Sequence, residues 1–227
     1  MRSYSEYMHM GMCVFVDFMD GRPLRVIVSR SSSLNKGSDE IRCSLNELRE
    51  STSWEQRKLG ECFTERKEKM PDGDLLSVTI SDGVRRFFEL GRHDNSNEDK
   101  TKYKKVCKGD IAYNSMRMWQ GACGYSGYEG IVSPAYTVLS PFADIVNSKC
   151  MSYFFKRNDM MHVFQIHSQG ITSDNWNLKY PALSEIKVMI SLDVYEQQKI
   201  AECLSKFDHL ITLHQRWWKW LHWVWCR

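Results

Sequence analysis

The 227-residue chain has no C-x-x-C pair, no G-x-x-x-x-G-K-[ST] loop, no G-x-G-x-x-G turn and no window of 18 consecutive apolar residues. Each absence excludes a class. Without paired cysteines there is no zinc ribbon or thioredoxin-like site. Without the glycine-rich loops no ATP or dinucleotide site is indicated, so no cofactor is expected. Without a long apolar run no helix is expected to span a membrane. The opening "MRSYSEYMHMGMCVFVDFMDG" has one short apolar run, Met12 to Val16, interrupted by Asp17 and Asp20. No small-residue cleavage site follows, so it is expected to be neither a signal peptide nor an anchor. Net charge is only +3, too little by itself to indicate a nucleic-acid partner.

Eight cysteines are present at irregular spacings. That pattern fits a reducing cytoplasm, where cysteine serves as a small apolar residue. Composition is 42% hydrophobic and 26% charged, enough for one globular domain with an accessory element or for a single large domain. Residues 1–52 are read as an N-terminal extension, with one strand at Leu24 to Val28 and a serine-rich boundary around Ser29 to Ser38. Residues 53–190 carry the pattern of a compact domain. "DLLSVTISDGVRRF" alternates Leu76, Val78 and Ile80 ahead of a Ser-Asp-Gly turn. "GDIAYNSM", "GIVSPAYTVLSP" and "EIKVMIS" read as further strands, and "VNSKCMSYFFKRNDMMHVFQIHSQG" reads as helical.

Residues 191–227 read as one long helix. Asp193 with Glu196 three residues on fits a capping-box start. Ile200, Cys203, Phe207, Leu210, His214, Trp217, Leu221 and Val224 then fall at heptad a and d positions. A helix of roughly 30 residues is about 45 Å long, more than a domain of this size needs, so pairing with another helix is favoured over packing on its own domain. The tail "WWKWLHWVWCR" holds five of the chain's eight tryptophans and reads either as a binding interface or as a replacement of an ordinary coiled-coil end.

Three stretches carry candidate chemistry. "KTKYKKVCK" supplies Lys100, Lys102, Lys104, Lys105 and Lys108 without an acid. It is read as a phosphate-facing patch or a solvated edge; in a strand Lys100, Lys102, Lys104 and Lys108 would share a face. "KGDIAYNSMRMWQGACG" sets Asn114, Arg117, Trp119 and Gln120 ahead of Gly121 and Gly124. Asn, Arg and Gln make the bidentate hydrogen bonds that read base edges, while backbone contact and a structural role stay open for Arg117 and Trp119. The "SDGVRRF" turn adds Arg85 and Arg86. Asp72, Glu98 and Lys100 match the spacing of a magnesium nuclease pattern, although both acids fall in loop-like sequence. "SPAY" at Ser133 to Tyr136 lacks the residues of an amino-methyltransferase tetrapeptide.

An ordered set of motifs resembles the specificity subunit of type I restriction–modification systems. It runs through "WEQRKLGE" (Trp54 to Glu61), "LLSVT" (Leu75 to Thr79), "Y-x-x-V-x-KGDIAYNSMRMWQGA-x-G" (Tyr103 to Gly124), "GIVSPAYTVL" (Gly130 to Leu139), "FKR" (Phe155 to Arg157), "SQGITSDNWNLKYPALSEIKV" (Ser168 to Val188) and "EQQKIAECLSKFDHLITLHQR" (Glu196 to Arg216). The resemblance implies an α+β fold: a compact target recognition domain with a twisted mixed β-sheet and flanking helices, then a long helix of coiled-coil type. It implies a non-catalytic DNA reader that grips half of a split double-stranded target. Methyltransferase and restriction subunits would be its partners, and its helix would pair through Ile200, Cys203, Phe207, Leu210 and His214. A typical member has two recognition domains and two helices; this sequence shows one of each, implying a half-length subunit that self-associates or a truncated one. The other readings are a standalone nuclease using Asp72, Glu98 and Lys100, and a helix-mediated protein-interaction module. The resemblance predicts that purified chain, given plasmid, Mg²⁺ and a methyl donor, leaves the DNA uncut and unmethylated; modification without another subunit contradicts it.

Overall fold

The computed structural model describes residues 3–9, 12–19, 22–30, 54–91, 93, 96, 99–172 and 175–225, with side chains described between 54 and 217. Three strands come first: β1 (Ser3–His9), β2 (Met12–Met19) and β3 (Arg22–Arg30), an antiparallel sheet in chain order with a register shift at Asp17/Phe18. The single strand expected at Leu24 to Val28 lies inside β3.

The next unit opens with β4 (Trp54–Lys58), a short helix α1 (Leu59–Cys62) and β5 (Phe63–Glu65). A hairpin follows, β6 (Leu76–Thr79) and β7 (Gly83–Arg86), then a 3-10 turn at Phe87–Leu90. β8 (Lys104–Val106) and β9 (Ile111–Asn114) lead to a second 3-10 turn at Met118–Gln120. After it come β10 (Cys123–Tyr125), β11 (Gly130–Val132) and β12 (Tyr136–Pro141). Helices α2 (Ser148–Phe155), α3 (Asn158–His167) and α4 (Tyr180–Ser184) precede β13 (Lys187–Ser191) and the 32-residue helix α5 (Val194–Trp225). No described helix is long and apolar enough to cross a membrane.

The fold is α+β. The central sheet has the order β10-β9-β12-β5, and β11-β8, β6-β7 and β13-β4 are separate pairs. Every named strand pair is antiparallel, and parallel pairing among the described residues is confined to the Leu75–Ile131 bridge. The expected single mixed sheet is therefore a set of small antiparallel ones. β13 lies against β4 with Ser191 opposite Trp54, so the strand just before α5 closes on the strand that opens the unit.

Period-2 alternation sends β9 and β12 into two cores at once. Ile111, Tyr113 and Leu139 join Phe63, Phe155, Phe164 and Leu178 on one face, while Ala112 and Val138 join Val78, Val84, Val106 and Val132 on the other. The helical stretch expected to be continuous is broken at Lys156 and Arg157. Asn147 caps α2 by accepting from Cys150 N at 3.0 Å, and Arg157 is extended at φ −71°, ψ 144°. The break lets Phe155 and Phe164 meet edge to face at 5.4 Å. Cys62, Cys123 and Cys150 are buried, and burial pushes their thiols up to about 11, about 12 and about 12 respectively. They stay protonated and fill the core, the role expected of them.

Gly124 shows where two backbones cross. A Cβ there would lie 2.7 Å from Gly83 Cα and 2.9 Å from Val84 N, so the β6–β7 hairpin rests directly on β10. Neither wall is a side chain that can swing away. Gly124→Ala is expected to lower stability by about 3 kcal/mol through overpacking, seen as a lower denaturant midpoint with an unchanged slope; an unchanged midpoint would mean that the crossing is looser than described.

Candidate nucleic-acid interface

β9 ends at Asn114, and the chain turns sharply. Asn114 Oδ1 accepts from Met116 N at 3.0 Å and Asn114 O from Arg117 N at 3.0 Å, an Asx-type turn. The Asn114 side chain is thus engaged in holding the turn. Gln120 N and Ala122 N both return to Arg117 O, at 3.0 and 3.1 Å. Gly121 closes the turn in the left-handed region at φ 79°, where a side chain would be strained.

The turn is braced from outside. Leu178 N donates to Ser115 O at 2.8 Å, and Gln169 and Asn177 exchange backbone bonds at 3.1 and 2.8 Å. Trp119 Nε1 donates to Met116 O at 3.1 Å, and its ring meets Trp176 edge-on at 5.2 Å. Trp119 is therefore neither free nor core: it is a half-buried strut between the turn and the 168–177 loop. Gln120 is half-buried and Arg117 exposed. This is a braced turn on which Arg117 is exposed.

On the hairpin, Arg85 is exposed. Arg86 lies 4.9 Å over the Tyr128 ring and 3.5 Å from Asp74 Oδ2, which holds it against the domain. Lys156, which the sequence reading passed over, reaches Ile80 O with its Nζ at 3.2 Å, beside the Gly83–Gly124 crossing. Trp176 is not among the individual site residues expected from the sequence, although its stretch "SQGITSDNW" is an alternative place for reading; a tryptophan amid polar loop residues is the available signal.

The lysine stretch departs from expectation. Only residues 104–106 form a strand; Lys102 lies in a turn set by Asp99, whose Oδ1 accepts from Thr101 N at 2.9 Å, and Lys108 lies in the next turn. Tyr103 between them is 5% exposed. Lys100, Lys102, Lys104 and Lys108 therefore share no strand face. Lys104 Nζ donates to Tyr136 O at 2.8 Å and sits 3.6 Å from Glu65 Oε1. Lys105 Nζ donates to Glu68 Oε1 at 2.9 Å, a hydrogen bond that raises the lysine and lowers the glutamate from their ordinary pKa values. These two ammonium groups are matched by acids about 40 residues earlier in the chain. Lys102 and Lys108 are exposed, and Lys100 is half-buried. Asp72 is exposed next to Gly73, and Glu98 falls outside the described residues.

The helix also departs from expectation. Ile200 and Phe207 are 9% and 8% exposed within the single chain, and Ile200 belongs to the main core with Ala201. Lys149 Nζ reaches Ser205 Oγ at 2.9 Å and Tyr153 OH reaches Asp208 Oδ2 at 2.7 Å, so α2 covers this half of α5. Ile200 and Phe207 are therefore taken up by their own domain rather than left for a partner helix, and Cys203 is half-buried. Leu210, Leu213 and Trp217 are 47%, 41% and 64% exposed, and His214 is exposed as well. One heptad stripe in the sequence is two seams in the structure.

The family model described as "Type I restriction modification DNA specificity domain" matches residues 52–217. No curated protein matches the chain. Among solved structures, the S subunit of a type I restriction-modification system from M. genitalium is similar at 14% identity over 79% of this chain and 46% of that chain, with a TM-score of 0.49. A structure titled for complex assembly and conformational transition of the type I R-M system is similar at 10% identity over 79% and 47%, TM-score 0.47. The HsdS subunit from Thermoanaerobacter tengcongensis is similar at 10% identity over 80% and 49%, TM-score 0.45. The chain spans less than half the length of each of these structures.

If exposed cations away from the β8 edge meet phosphate, Arg85→Gln should lower the log–log salt slope of DNA binding by about 0.9, and Lys105→Gln should leave it unchanged. A fall for Lys105→Gln alone would return the contact to the β8 edge.

Proposed function

Since the chain belongs to the type I restriction modification DNA specificity domain family, with 52–217 of its residues matched, we propose that it supplies sequence recognition to a type I restriction–modification complex. The unit 53–190 is the target recognition domain and binds one half of a bipartite double-stranded target. The helical part, 191–227, joins it to a second such unit, and methyltransferase and restriction subunits assemble on this scaffold in the cytoplasm. The chain itself is the reader, and the chemistry belongs to those partner subunits.

The observation that carries this reading is the braced turn from Ser115 to Gly121. It is rigid, it is aimed by a strand buried on both faces, and it presents Arg117 exposed with Gln120 at its side. Arginine suits guanine and glutamine suits adenine, each good bidentate pair discriminating by about 1–3 kcal/mol. Arg85, exposed on the β6–β7 hairpin, and Lys156, whose Nζ reaches Ile80 O in that hairpin's turn, are candidates for the phosphates that fix register. The exposure of Leu210 (47%) and Leu213 (41%), beyond the tether at Asp208, supports pairing through the second half of α5.

Mapping the modified bases of a host that carries the gene tests recognition. Deletion should erase one bipartite motif, and complementation with Arg117→Ala should relax a single base position within it. An unaltered modification map after deletion contradicts the reading. Pairing has its own test. Leu210→Asp with Leu213→Asp should shift the purified chain to monomer in sedimentation at micromolar concentration and keep its helicity. Phe207→Asp should instead destabilise the fold by several kcal/mol, because it buries a charge.

A further inference from the structure

The loop between α3 and α4 is tied down at both ends. At its start, Ser168 N and Oγ donate to Gln165 O at 3.2 Å and Phe164 O at 2.7 Å, which fastens it to α3. At its end, Leu178 is fully buried; its N donates to Ser115 O at 2.8 Å and its O accepts from Tyr113 OH at 3.1 Å, which fastens it to β9 and the turn that follows. Between these points Gln169 and Asn177 exchange backbone bonds and close the base of the loop. Gly170 stands at φ 146°, and a Cβ there would lie 2.6 Å from Asn175 O, so the two sides of the loop meet at backbone contact. Asn175 N donates to Thr172 O at 2.9 Å and Asn175 Nδ2 to Thr172 Oγ1 at 3.3 Å. Trp176 sets its ring against Trp119, whose indole N–H is bonded to Met116 O within the 115–121 turn. Loop and turn therefore share one brace.

Ile171 lies in this loop and is 100% exposed, more than any other large apolar side chain among the described residues. A single exposed apolar residue is ordinary on a protein surface. The setting of this one is not. Gly170 on one side and the Thr172–Asn175 bonds on the other fix the backbone from which it projects. From Ser168 to Leu178 the sequence holds neither lysine nor arginine, and its one charged residue is Asp174. A loop of that charge gains nothing from the phosphate backbone, whose contacts are made by cations. What it offers to a duplex is an aliphatic group and neutral polar ones, and those suit base edges. In the major groove the one apolar group on any base edge is the C5-methyl of thymine.

We propose that Ile171 is a specificity-determining residue that reads the C5-methyl group of one thymine in the half-site. This rests on the reading of the chain as a specificity subunit and adds a second reader to it, on the loop braced to the 115–121 turn. The two differ in chemistry. Arg117 discriminates by hydrogen bonds, whereas Ile171 discriminates by packing a branched aliphatic side chain on a methyl group, with no charge and no hydrogen bond. Its contribution is therefore independent of salt, while removal of one methyl group from the DNA abolishes it.

The probe is deoxyuridine, which is thymidine without that methyl group and pairs with adenine in the same way. In duplexes carrying the target motif, each thymine of either strand is replaced in turn, and affinity for the complex assembled with its methyltransferase subunits is measured by competition. Wild type should bind one of the substituted duplexes about fivefold more weakly than the parent. Ile171→Ala should bind that duplex and the parent equally, both about fivefold more weakly than wild type binds the parent. Because Ile171 is fully exposed, the variant should keep the wild-type denaturant midpoint. Ile166→Ala removes another exposed isoleucine, at the end of α3, and should keep the full preference for thymine. Equal binding of every substituted duplex by wild type overturns the proposal. So does a thymine preference that survives in Ile171→Ala, even where that variant binds all duplexes more weakly, since Ile171 would then support the loop or wedge between bases without reading the methyl group. A wild-type complex that prefers the motif but ignores deoxyuridine overturns this proposal alone. One that prefers no duplex over random competitor overturns the functional reading with it.

Discussion

The buried carboxylate of Asp110 is the constraint on which the central sheet depends. It is 2% exposed and receives Arg66 through two bonds, Nε at 2.7 Å and Nη2 at 3.0 Å, with Cys107 N adding a third at 2.8 Å. Arg66 Nη2 also reaches Ser140 Oγ at 3.0 Å. The pair thus binds the end of β5, the flank of β12 and the first residue before β9. Losing one partner of such a pair leaves an uncompensated buried charge, a cost of about 3–5 kcal/mol. β9 begins at Ile111, directly after Asp110, is walled by a core on each face, and releases the chain into the turn that carries Arg117. The position of that turn follows from the anchor at the other end of the strand.

Charge placement, more than net charge, distinguishes the surfaces. The lysine-rich stretch dominates the sequence to the eye, yet Glu65 and Glu68 match Lys104 and Lys105 in space. Tyr103 turns inward and splits the run between two turns. Elsewhere, among the described residues, Arg85 and Arg117 are exposed without a salt bridge, and Lys156 Nζ donates to Ile80 O.

The strands at Leu76–Thr79, Ile111–Asn114 and Lys187–Ser191 were legible because alternation and turn residues are local signals. β4 was not: Trp54–Lys58 is mostly charged and polar, and becomes a strand by pairing with β13 about 130 residues later. The break between α2 and α3 carries neither glycine nor proline; it is imposed by the need of Phe155 and Phe164 to enter one core. In α5 the heptad period was readable, but periodicity does not say what covers a stripe, and α2 covers its first half. In the site, the polar residues of the 114–120 turn were visible as types. That Asn114 is engaged with Met116 N, and Trp119 with Met116 O and Trp176, depends on where the chain turns and on a loop that arrives some 50 residues later.

Which surface meets DNA decides between the 115–121 turn and the β8 edge. Photo-cross-linking of the complete complex to its target duplex, with a photoreactive amino acid placed at Gln120 in one preparation and at Lys105 in another, reads this directly. The account predicts covalent protein–DNA adducts from position 120 and none from position 105. Adducts from position 105 with none from position 120 would contradict it.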